Sequence, residues 1–135
     1  GDPRVAFIME GVESPDVIGN YGTQAGGAAG EEIDRHDVIL GSPEHAVVIA
    51  SSEHHKPGML RVIEETHMMS VPVDDPKIRA DMVFFETASG GAVFSTGSIS
   101  YAGSLSINDY QNDIETMTRN VLDRFADDTP FEFPD

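Results

Sequence analysis

Apolar residues in this chain fall into short runs separated by glycine, proline and acidic stretches, and each run predicts an element. Val5-Ala6-Phe7-Ile8-Met9, closed by Glu10-Gly11, reads as a buried strand. Ala46-Val47-Val48-Ile49-Ala50 is apolar throughout, which predicts a central strand covered on both faces. Met82-Val83-Phe84-Phe85 and Ala92-Val93-Phe94-Ser95 flank Thr87-Ala88-Ser89-Gly90-Gly91 and read as a hairpin. Further on, Ile114, Met117, Val121, Leu122 and Phe125 recur at the spacing of one helix face, with Ser106, Asn108 or Asp109 as candidate caps. Leu60 to Met69 fits neither period cleanly, and Pro72 and Pro76 mark the connection after it.

Between these runs, Ser14 to Gly30 carries Pro15, Gly19, Gly22, Gly26, Gly27 and Gly30, the signature of a loop with tight turns or close backbone approaches. Glu31 to Leu40 is open between an irregular helical turn and a short strand, and Gly41-Ser42-Pro43 is a turn. Residues 127–135 form an acidic tail with two prolines, either a surface strap or disordered. The chain has 12 Val and 10 Ile against 4 Leu, and that bias toward β-branched residues favours sheet over a helical bundle.

Composition narrows the chemistry. The 135 residues are enough for one domain with a modest core. They carry 24 acidic and 8 basic side chains, a net charge of −16, which argues against nucleic acid and anionic membrane as partners. With no cysteine there is no disulfide, thiolate metal site or cysteine nucleophile. No apolar run is long enough to span a bilayer and no signal peptide opens the chain, so a cytoplasmic location is expected. The opening Gly1-Asp2-Pro3-Arg4 reads as a cut end or an expression scar, and the chain is expected to be a piece of something longer.

Candidate chemistry is sparse. Glu53-His54-His55, directly after an apolar strand, has the residue types to hold a metal or shuttle protons. The plainer reading is an exposed polar loop, because adjacent side chains point in different directions. Asp34 and Arg35 are placed to brace the glycine loop through charge-assisted hydrogen bonds. If that segment were helical, Glu32 and His36 would share a face and could ligate a metal. The glycine loop lacks the spacing and the lysine of phosphate-binding loops. Ser98 and Ser104 read as turn residues, and no serine sits in a nucleophile elbow. His67, Met68 and Met69 read as core fillers, and Tyr21, Tyr101 and Tyr110 as packing residues with phenols able to ligate or donate.

Several stretches together resemble one family. Ile18-Gly19-Asn20-Tyr21-Gly22, Gly26 to Arg35, Ala80 to Thr87, Gly90 to Ile99 and Thr118 to Phe125 are similar to the C-terminal region of the N,N-dimethylformamidase large (beta) subunit. The resemblance implies an α/β fold: part of a three-layer, amidotransferase-like (flavodoxin-like) sheet, with Ala92 to Ile99 as a late strand and Ile107 to Ala126 as its packing helix. Residues 1–126 would form this segment, with 127–135 as its tail. It also implies an iron-dependent amidohydrolase that cleaves N,N-dimethylformamide to dimethylamine and formate and works with a small subunit. That family's iron is held by two tyrosines and a glutamate, and none of these is matched to Tyr21, Tyr101, Tyr110 or any glutamate here. No metal ligand or other cofactor is therefore expected in this chain.

The expected role is mainly structural: completing the sheet of a longer large subunit, with Glu53, His54, Asp34 and Arg35 as candidate pocket residues. The expected partners are the remainder of that subunit, a small subunit and a small amide substrate. Two other readings stand beside it. One is a non-catalytic acidic module that docks on a basic partner or sister subunit. The other is a self-sufficient metal hydrolase built on Glu53, His54 and His55.

Overall fold

The computed structural model describes residues 1–55, 59 and 75–134. Within them the chain folds into an α/β unit. A three-stranded antiparallel sheet of β1 (Val47–Ser52), β2 (Ala80–Glu86) and β3 (Ala92–Ser95) shares one core with a C-terminal helix, α1 (Asp113–Ala126).

β2 is the central strand. Ala80, Met82, Phe84 and Glu86 are buried at alternate positions, and Asp81 is buried on the opposite face. β1 pairs with it on one side, Val47 opposite Phe84, and β3 on the other, Phe94 opposite Phe84. The expectation that β1 is central and doubly covered is thus corrected: it is an edge among the described strands, with Val48 43% exposed. The register shifts between Val48 and Ala50, a bulge at Ile49 that blunts this edge. A continuous apolar run does not reveal how many neighbours a strand has, which is why the sequence misplaced it. The described strands are all antiparallel, and the hairpin joining β2 to β3 closes with Thr87 N donating to Gly91 O at 2.8 Å.

Val5–Met9 is not a strand. Asp2 caps a 3₁₀ turn at Pro3–Val5, and the turns continue through Ile8 N to Val5 O (3.0 Å) and Met9 N to Ala6 O (3.2 Å). Helical spacing brings Val5 and Ile8 together into the core. Pro3, preset for a first helical turn, decided between the two geometries that a five-residue apolar run allows.

α1 buries Ile114, Met117 and Val121. Leu122 and Phe125, expected on the same stripe, are 62% and 40% exposed. None of the three expected caps is used. Asn108, Asp109 and Tyr110 all lie in the left-handed region (φ 55°, 52° and 65°), so no right-handed helix starts there. Asn112 caps instead: its Oδ1 accepts from Glu115 N at 3.0 Å, and its Nδ2 donates to Leu105 O and Ile107 O. The helix is accordingly shorter than the expected 107–126.

β3 likewise stops at Ser95 rather than continuing to Ile99. Gly97 turns the chain at φ 70°, and a Cβ there would fall 2.5 Å from Asp81 O. Ser98 then bridges to Ile33 and caps a 3₁₀ helix, Ile99–Ser104. The chain beyond α1 lies along the molecule as a strap. Phe131 N donates to Gly90 O, and its ring packs against Phe84 (5.6 Å between centroids) and Phe125 (5.5 Å). The Arg124 guanidinium sits 3.8 Å from the Phe131 ring centroid, and Phe133 packs on His45. Readings of Leu60 to Met69, His67 and Pro72 fall outside the described residues. Among the described residues no helix is long and apolar enough to cross a membrane.

Candidate functional site

A cleft of about 610 Å³ opens between the glycine loop and the C-terminal end of β1. One wall is Ile18-Gly19 and Gly26 to Gly30; the other is Ile49 to Glu53, with Met82 and Ile114 between them. The glycines make this wall possible. Gly19 has φ 65°, and a Cβ there would lie 2.7 Å from Ala28 Cβ and 2.9 Å from Ile114 Cδ1. Ala28 N closes the loop on Gly19 O at 2.8 Å.

Serines of the 3₁₀ helix hold the loop in place. Ser98 Oγ donates to Glu31 O at 2.5 Å and Ser104 Oγ to Tyr21 O at 2.6 Å, while Thr23 N donates to Gly103 O. Sequence reading took both serines as turn residues and gave the bracing to Asp34 and Arg35. Asp34 instead uses its backbone, donating to Gly97 O and accepting from Asp81 N. Arg35 pairs with Asp37 at 2.9 Å and donates to Lys77 O. The backbone, not side-chain charge, ties residue 34 into the fold.

The other wall rests on a carboxylate that the sequence did not single out. Asp81 is 3% exposed and accepts from Ser51 Oγ (2.6 Å), His36 N (2.8 Å) and Arg79 Nε (2.8 Å). This fixes the end of β1 where it meets the cleft. Alternation along β2 gave no sign of it, because an acid inside a strand normally points to solvent. At the other end of β2, buried Glu86 receives Arg4 Nη1 at 3.1 Å, and its carbonyl accepts from His45 Nε2.

The predicted site residues scatter. Glu53 stands exposed in the cleft lining, whereas His54, with φ 56°, and His55 are outside it, and His55 Nε2 donates to Ser52 O. Glu32 and His36 do not share a helix face: Glu32 is left-handed, Ile33 is bridged, and His36 Nε2 donates to Pro43 O. Among the described residues no three His, Asp or Glu side chains gather as a metal-ligating group. The phenols of Tyr21 and Tyr101 are engaged with Asn112 Oδ1 (3.3 Å) and Thr118 Oγ1 (2.8 Å). Burial holds the Tyr101 phenol above its ordinary value, and the Arg35 guanidinium holds the Asp37 carboxyl below its own.

Asp16 and Glu53 are the ionisable side chains among the described residues lining the cleft. The rest is glycine, alanine, aliphatic carbon, proline, hydroxyl, one asparagine and the Met82 thioether. With two carboxylates and no cation among the described lining residues, the cleft disfavours an anionic ligand.

The fold and cleft define an α/β unit in which the glycine loop and the end of β1 shape a pocket. Residues 1–113 match the family model described as N,N-dimethylformamidase beta subunit-like, C-terminal. The chain belongs to that family. Two relatives, the N,N-dimethylformamidase beta subunits of an Alcaligenes species and of Paracoccus aminophilus, are each 44% identical to it over 133 residues. These alignments cover 96% of this chain but only 17% of each relative.

Proposed function

We propose that this chain serves as the C-terminal, mainly structural segment of the large subunit of an amide hydrolase. The complete enzyme would convert N,N-dimethylformamide and water to dimethylamine and formate. The observation that carries the reading is the glycine-walled cleft, whose described lining is mostly small side chains, in a chain 44% identical to dimethylformamidase beta subunits. In this reading the glycine loop and the end of β1 form one wall of the amide pocket. Glu53 at its edge and Asp16 on its lining are the carboxylates able to accept a proton. The three-stranded sheet is the antiparallel end of a larger, amidotransferase-like sheet, an arrangement common in mixed sheets.

Iron belongs to the same proposal only as a property of the complete enzyme. Placing that iron outside this chain is supported by Tyr21 and Tyr101, whose hydroxyls are spent on α1, leaving Tyr110 as the third described tyrosine, exposed at the surface. No step of hydrolysis is assigned to a metal on this chain. A small subunit and a cytoplasmic setting complete the proposal.

The test is hydrolysis of N,N-dimethylformamide by the complete large subunit with its small subunit, scored by release of dimethylamine and formate. No release would sink the amidase reading. Unchanged turnover in Glu53→Gln would remove that side chain from the pocket while leaving the architectural role.

A further inference from the structure

Val38, Ile39 and Leu40 stand 44%, 95% and 61% exposed on one 3₁₀ turn. Single exposed aliphatics are ordinary, but three in succession on one turn form a knob. This knob is held stiffly. Asp37 caps the turn by accepting from Ile39 N at 3.1 Å, and Leu40 N donates to Asp37 O at 3.0 Å. Gly41 closes it in the left-handed region at φ 102°, donating to Val38 O at 3.1 Å. Ser42 ties its base twice, through its own N to Asp37 O and from Asp37 N to its Oγ, and Arg35 clamps the Asp37 carboxylate. An apolar turn fixed in one shape loses little further entropy when a partner covers it.

We infer that the Val38-Ile39-Leu40 turn is a docking knob that seats in an apolar socket on the remainder of the same large subunit. The inference rests on the reading above that this chain is one segment of a longer subunit. Two observations choose that occupant. First, the relatives carry most of their length outside the region matched here, which covers 17% of each. Second, three aliphatic side chains supply far less than the roughly 800 Å² per partner that a stable free dimer buries. A contact that small suffices when the partner is covalently tethered, because the effective concentration reaches the millimolar range. A second copy of this chain, free in solution, gains no such advantage.

Ile39→Asp tests it in two settings, with thermal unfolding as the readout. In the isolated chain the side chain already meets water, so the midpoint should stay within about 1 °C of wild type. In the complete large subunit, several times longer, it should fall by about 1–2 °C, because the aspartate would be buried in the socket. An unmoved midpoint in the complete subunit overturns the proposal. So does a fall in the isolated chain, which would mean the knob is covered within these residues. Light scattering provides the third arm: an isolated chain that is dimeric, and monomeric as Ile39→Asp, would make a second copy the occupant and overturn the tethered socket. Amide turnover by the wild-type complete subunit together with its small subunit is measured alongside. Its absence would sink the amidase reading without touching the docking result.

Discussion

Replacing Asp81 by alanine removes an acceptor shared by three donors. The side chain is 1% exposed, and His36 N, Ser51 Oγ and Arg79 Nε all point at it within 2.8 Å. Breaking a buried ion pair by deleting one partner costs about 3–5 kcal/mol. Arg79 is 28% exposed and keeps its bond from Nη2 to His36 O, so water and that carbonyl recover part of the loss. A loss of about 3 kcal/mol is expected for Asp81→Ala, a large share of the ~5–15 kcal/mol that stabilises a domain. Asp81→Asn separates charge from shape. Its Oδ1 can accept from both His36 N and Arg79 Nε, while its Nδ2 donates to Ser51 Oγ, whose hydroxyl turns to accept. Only the charge-assisted part is lost, about 1–1.5 kcal/mol. Urea unfolding followed by far-UV circular dichroism measures both, provided the slope with denaturant is unchanged. Alanine and asparagine variants lying within about 0.5 kcal/mol of each other would refute the three-donor account. Water would then be replacing the carboxylate.

Phe131→Ala should cost about 2–3 kcal/mol, since its ring joins Phe84, Phe125 and the Arg124 guanidinium, and it should expose 127–134 to protease; resistance equal to wild type would mean the strap is not anchored there. Because burial raises the Tyr101 phenol, the unfolded chain ionises first as pH rises. Stability is therefore intact below about pH 10 and lost as pH climbs through the folded value. Tyr101→Phe should lower the neutral-pH urea midpoint slightly and flatten the alkaline decline; an equally steep decline would assign it to other groups. Gly19→Ala forces a Cβ against Ala28 and Ile114 at a left-handed position, so it should destabilise the chain by about 2 kcal/mol or more. A Gly19→Ala variant as stable as wild type would show that the loop shifts freely and that the cleft wall is not fixed by close packing.

Features that depend on near neighbours could be read from the order of residues alone. The hairpin at Thr87–Gly91, the β3 strand, the α1 stripe through Ile114, Met117 and Val121, and the irregular glycine loop were all legible. Each follows from local spacing, turn chemistry or glycine content, which a chain carries with it before folding. The family was legible too, because motif residues keep their order along the chain. Matters of partnership were settled by contacts between distant segments. β2 rather than β1 is central because pairing, not apolarity, sets a strand's place. Val5–Met9, where Pro3 and the Asp2 cap start a 3₁₀ turn, keeps its turns because the core takes Val5 and Ile8 three residues apart. Asn112 became the helix cap because carbonyls of Leu105 and Ile107 and the Tyr21 hydroxyl converge on it from outside the helix. The cleft was hidden for the same reason. Its two walls are far apart in sequence, and serines and a buried carboxylate that look unremarkable in one dimension hold them in register across the fold.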